Sequence, residues 1–135
     1  MCKLIDPKTR IGVAEDVPEL SLPHKNIVYT RSRPWKPGMR EEDVATLDWV
    51  IQQFQRMRVE RILCGEVRGK EFNTFLVAAN SGIEGSMTTM HADNPEKCKQ
   101  KMTQFALKGA DTDNIMAINT QISNVVDIIV QLIRT

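Results

Sequence analysis

The chain has no charge of one sign in excess, no long apolar run and no cysteine pairing pattern. Lysine and arginine total 18 against 17 aspartates and glutamates. Bulk charge therefore gives no reason to expect a nucleic acid or a membrane surface as partner. The longest apolar runs are a few residues, too short to span a bilayer as a helix. Three cysteines, Cys2, Cys64 and Cys98, are an odd number without CxxC spacing. Free thiols in a reducing compartment are the expected reading. Those cysteines with His24 and His91 do not make the four clustered ligands of a zinc site. Met1 to Leu4 lead straight into a charged segment, so no signal peptide is expected. There is also no GxxxxGK[ST] loop. Gly65 to Lys70 comes near it but is one residue short between its glycines. Glu71 also stands where the metal-binding hydroxyl belongs, and Glu66 inside such a loop would repel phosphate.

What is present is an alternation of short strands and helices over 135 residues, enough for one compact domain that buries roughly 68% of its unfolded surface. Strands are expected at 10–14, 26–30, 61–64, 86–90 and 127–133. The β-branched and aliphatic content of these stretches supports that assignment. Helices are expected at 41–58, at 70–79 with Gly82 as a left-handed cap, at 95–107 with Gly109 ending it, and at 113–125. In the first helix, Val44, Leu47, Val50, Ile51, Phe54 and Met57 share one face. Asp93 or Asn94 is the expected cap before Pro95. Alternation of this kind predicts a mostly parallel sheet with helices on both faces, and ligands bound beyond the carboxyl ends of the strands.

Glu15, Glu66 and His91 each fall at such a strand end. A carboxylate after Ile62-Leu63-Cys64-Gly65 can orient and deprotonate a water, or hold a metal-bound one. Glu15, Asp16 and Glu19 supply carboxylates suited to magnesium through water. Arg31, Arg33 and Arg68 suit oxyanions bidentately. Thr88 and Thr89 precede His91 and read equally as β-formers. Arg56, Arg58 and Arg61 read as helix-end and structural charges. A hydrolase built on Cys64 and His91 lacks an evident third group, and Cys64 sits within a strand pattern.

The order RIGVAEDVPEL, then RILCGEVRGKEFNTFLVAANSGIEGSMTTMHAD, resembles the secretion traffic ATPases, the hexameric motors of type IV secretion, conjugation, type II secretion and pilus assembly. The likeness covers residues 10–134. YTRSRP and FQRMRVERI look closest to the conjugation and Flp-pilus branch. The resemblance implies a RecA-like P-loop NTPase core using ATP and magnesium. Residues 1–135 would be part of its C-terminal ATPase domain. Glu15, Asp16 and Glu19 match the aspartate box. Residues 62–66 match an atypical Walker B, with glycine for the usual aspartate and Glu66 catalytic. Residues 82–91 match the histidine box. By the same resemblance Glu66, His91 and Arg68 are catalytic. Arg31, Arg33, Thr88 and Thr89 join Glu15, Asp16 and Glu19 at the nucleotide, and magnesium is held through water by Glu15, Glu19 and Glu66. A hexameric ring, cytoplasmic and peripheral at the inner face of a bacterial membrane, working with inner-membrane secretion or pilus components and without sequence-specific nucleic-acid contact, is the implied setting. The family's Walker A loop is not among these residues. The expectation is therefore a fragment that is inactive alone, with the P-loop strand absent. The alternative is a short non-catalytic module that joins or inhibits a motor ring.

Overall fold

The computed structural model describes residues 4–133, so the thiol of Cys2 lies outside it. Four strands, β1 (Ile11–Glu15), β2 (Ile27–Arg31), β3 (Arg61–Cys64) and β4 (Met87–Thr88), form one sheet in the order β2-β1-β3-β4. Every pairing is parallel, with Ile11 opposite both Ile27 and Arg61, and Leu63 opposite Met87. All five residues of β1 are buried, as a central parallel strand requires.

The helices are α1 (Leu47–Arg56), α2 (Glu71–Asn80), α3 (Pro95–Gly109) and α4 (Ile115–Val125). They were expected on both sides of the sheet; among the described residues they collect on one. Ala14, Ile62 and Cys64 join the helical residues Phe54, Phe72, Leu76, Met102 and Ile118 in the main core. The opposite side chains of the same strands, Ile11, Val13 and Leu63, form a second, smaller cluster. It is covered by Ile5 and Leu22 from irregular segments and, among the described residues, by no helical one.

Local chemistry sets the boundaries. The helix expected over 41–58 starts only at Leu47. Ala45 is drawn into an antiparallel bridge with Arg33, and the Thr46 hydroxyl accepts the Trp49 amide as N-cap. Glu41–Asp43 is a separate 3-10 turn, and Met57 is left 39% exposed at the C-cap. Asn94, rather than Asp93, caps α3 by accepting the Lys97 amide, with Pro95 in the first turn. Asn114 does the same for α4 through Ala117. Gly82 has φ of 95°, the left-handed value expected after α2.

The strand expected at 127–133 does not form. A strand needs a ladder partner, and β4, which forms one edge of the sheet, offers only two residues. Val126 and Ile129 pack instead against the helical core. Ile128, Val130, Leu132 and Ile133 remain 71–87% exposed.

Candidate functional site

The carboxyl ends of β1, β3 and β4 are tied into one edge. The Gly65 amide donates to the Ala14 carbonyl at 2.9 Å, and the Val67 amide to the Thr89 carbonyl at 3.1 Å. The Thr89 hydroxyl donates to the Gly65 carbonyl at 2.6 Å. Thr89 is thus committed to the loop after β3. The Thr88 hydroxyl lies toward the Cys64 thiol and the Thr89 carbonyl.

Glu66 stands immediately beyond β3 with its side chain 22% exposed. Each of its oxygens has a basic side chain as neighbour. The Arg68 guanidinium donates to Oε2 through Nη2 at 2.5 Å and Nε at 2.7 Å, and His91 Nε2 lies 3.0 Å from Oε1. The Arg68 hydrogen bond is the chief reason the Glu66 carboxyl is held below its ordinary range. The charges of Arg68, His91 and Lys101 add to it against partial desolvation. Reciprocally, the bond to Glu66 raises Arg68, and Asp16 and Glu19 contribute from the β1 loop. The lowered Glu66 is an ionised acceptor at neutral pH, the form in which a carboxylate takes a proton from water.

Glu15 is only 4% exposed. Its Oε1 accepts the amides of Glu19 at 3.0 Å and Leu20 at 2.9 Å, which folds the acidic loop back over the end of β1. Its Cγ would lie 3.1 Å from a Cβ added at Gly65. Glycine at position 65 therefore leaves room for the Glu15 side chain, and any larger residue there would crowd it. Sequence spacing put Glu15 at a strand end; the adjacency of β1 and β3, and with it this close approach, came from the sheet order.

Around this pair, Ser32, also buried, donates its hydroxyl to Asp16 Oδ1, and the Arg31 Nε donates to the Asp16 carbonyl at 3.1 Å. Arg31 thus stays with the acidic loop. Arg33 is exposed, its backbone in the bridge to Ala45. No ion pair involves its side chain among the described residues, and the structure does not bring it to Glu66.

A cleft of about 320 Å³ is lined by Glu66, Val67, Arg68, His91, Lys101 and Phe105. Lys101 and Phe105 were not read from the sequence as site residues. Their signal was weak: an i, i+4 pair on one face of an otherwise ordinary basic helix.

The resting phosphate-loop look-alike is explained as well. The amides of Arg68 and Gly69 converge on Glu71 Oε1 at 2.5 and 2.8 Å. A carboxylate of the chain itself fills the anion position at the start of α2. Cys64 is pushed up to about 12, chiefly by burial, so it is a thiol rather than a nucleophilic thiolate. Burial raises Cys98 as well. The cysteine-hydrolase reading has no support here. No group of three or more histidine, cysteine or carboxylate side chains converges as a direct metal chelate among the described residues.

A family profile described as "Type II/IV secretion system protein" matches residues 1–135. The chain belongs to that family. It is 33% identical over 135 residues to a putative conjugal transfer protein of Mycobacterium tuberculosis, covering 99% of this chain and 37% of that protein. It is 31% identical over 129 residues to Protein VirB11 of Agrobacterium fabrum, covering 93% of this chain and 36% of the relative. The VirB11 ATPase of the Brucella suis type IV secretion system, solved with sulphate, superposes with a TM-score of 0.76 at 31% identity. That match covers 91% of this chain and 36% of the solved one. The chain thus spans little more than a third of the length of these family relatives. The parallel sheet flanked by helices agrees with a RecA-like NTPase core. No helix among the described residues is long and apolar enough to cross a membrane.

Proposed function

We propose that this chain supplies the water-activating part of the ATP site of a secretion or conjugation motor, with Glu66 as the general base. The observation that supports it is the ionised Glu66 at a strand end, held between Arg68 and His91 on a shared cleft. Glu66 would orient and deprotonate the attacking water. Arg68 steadies one carboxylate oxygen and is exposed enough to reach an incoming phosphate oxygen. His91, on the other oxygen, would register the change in charge when the terminal phosphate leaves. Arg31, Asp16, Thr88 and Thr89 hold the rim, and Arg33 is free to reach a neighbouring subunit of a ring.

Magnesium fits this edge through water rather than directly. Glu15, Glu19 and Glu66 present the hard oxygens it takes, but they do not converge as a chelate. When bound it would neutralise phosphate charge. The phosphate grip itself is not within these residues, because the only glycine-flanked turn that resembles one is filled by Glu71. The full motor would therefore need a phosphate loop from outside the 135 residues. A hexameric ring working at the inner face of a bacterial membrane, alongside secretion or pilus components, is the setting we propose. The same filled turn favours a second reading, a non-catalytic module that joins or inhibits such a ring.

Glu66→Gln in the full-length motor keeps the shape and removes the base. ATP turnover should fall by on the order of 10²–10⁴-fold with nucleotide binding spared. Turnover at the parent rate would remove Glu66 from the chemistry and leave the second reading.

A further inference from the structure

We propose that Lys101 is a positioning residue: from helix α3 its ammonium grips the backbone carbonyl of His91 and so holds the imidazole on Glu66. The idea rests on the reading of Glu66 and His91 as the working pair.

The problem it solves is visible in the burial. The His91 side chain is 89% exposed, yet its Nε2 sits 3.0 Å from Glu66. An exposed ring on an irregular segment has many rotamers open to it, and one ion pair in water does not hold it. The segment from Thr89 to Asn94, between β4 and α3, has no helix or sheet ladder of its own. Its backbone needs other ties. The Gln131 amide donates to the Ala92 carbonyl at 3.3 Å, and Lys101 Nζ donates to the His91 carbonyl at 2.7 Å. The second is the shorter, is charge-assisted, and acts on the histidine itself.

Lys101 is also placed differently from an ordinary surface lysine. It is half-buried, and its ammonium lies 5.9 Å from the centroid of the Phe105 ring one turn along the same helix. The nearby carboxylate of Asp93 is already taken by Lys97 at 2.6 Å. Lys101 therefore directs its charge to a neutral carbonyl, in a cleft that Glu66 and Arg68 also line. Both α3 and the β3 edge pack into the main core. The lysine thus links a rigid helix to a segment that has no rigidity of its own.

The test reads the position of the ring rather than catalysis. In the isotope-labelled 135-residue chain, NMR cross-peaks between the His91 ring protons and the Glu66 side chain report their contact. Lys101→Met keeps the aliphatic stem against Phe105 and removes the donor. The cross-peaks should disappear while amide signals of β1, β3 and α2 stay in place. Lys101→Arg, which can still donate to the carbonyl, should restore them. A purely packing role for Lys101 would leave the ring contact intact in K101M, and cross-peaks of parent intensity there would overturn the proposal. So would their absence from the parent chain. If methionine is not tolerated, Lys101→Leu, which also lacks a donor, gives the same reading. Because no nucleotide is present, failure here is separate from failure of Glu66→Gln to stop turnover.

Discussion

Both carboxylate oxygens of Glu66 face a basic side chain, and the two partners differ in kind: Arg68 is permanently charged, whereas the contact to His91 is an ion pair only with the ring protonated. Arg68 is the larger cause of the lowered Glu66 carboxyl. Its removal should let that carboxyl titrate higher, toward the ordinary value of 4.5. Carboxyl ¹³C shifts of Glu66 in Arg68→Ala will show this. An unmoved titration would assign the lowering elsewhere. The sign for stability follows. A depressed folded-state value stabilises the fold above the unfolded carboxylate's range, and that contribution is lost as pH falls through the folded value. The contribution is screened, because Arg68 is 73% exposed. A second residue-scale expectation concerns Arg58, which has φ of 54° just after α1. The Val59 amide reaches back to the Phe54 carbonyl at 3.3 Å, closing the turn in the Schellman manner that favours glycine. Arg58→Gly should stabilise by about 0.5–1 kcal/mol, the relief of left-handed strain less the added chain entropy. Urea unfolding will measure it.

At the scale of elements, α2 and α3 meet more closely than helical periodicity reveals. A Cβ at Gly109 would lie 2.3 Å from the Lys70 carbonyl oxygen and 2.9 Å from the Asn73 Cβ. The Asn73 side-chain amide also donates to the Gly109 carbonyl at 3.0 Å. Gly109 was legible as the end of a helix, but its reason is this close approach and not a left-handed cap. Gly109→Ala should destabilise by roughly 1–3 kcal/mol and lower the melting temperature by roughly 3–15 °C. Thermal unfolding followed by circular dichroism decides it, since an unchanged melt would mean that α3 can shift at no cost. The same position ties α3, and with it Lys101, to the start of the helix that follows Glu66.

Across the described residues, the arrangement is one-sided. The helices cover one face of the sheet, loops cover the other, and the apolar segment 128–133 is largely uncovered beyond the core. Water activation and phosphate gripping are separate tasks, and the proposed role of Glu66 concerns the first alone. Much of the binding energy for a nucleotide's phosphates comes from an oriented set of backbone amides and a lysine. In the turn that most resembles such a loop, the amides are already occupied by Glu71. The 135-residue chain alone should therefore bind a fluorescent ATP analogue no tighter than the millimolar range. A titration showing micromolar binding would contradict this.

Periodicity and punctuation were sufficient for most elements, because helix caps, prolines and apolar spacing act within a few residues of chain. Asn94 and Gly82 are legible in that way, whereas the caps Thr46 and Asn114 emerged only with the structure. The same local reasoning put Glu15 at the end of β1 and Glu66 two residues past β3, but the strand expected over 86–90 shrinks to Met87–Thr88, so His91 lies three residues beyond it. Other features depended on partners far along the chain. Ala45 left the first helix for a bridge to Arg33, and 127–133 stayed out of the sheet for want of a ladder. Gly65 accommodates Glu15, Thr89 is spent on the Gly65 carbonyl, and Lys101 enters the cleft from α3. Local propensity is written in neighbouring residues. Contact between distant ones is decided only when strand register and helix packing bring their atoms within bonding range.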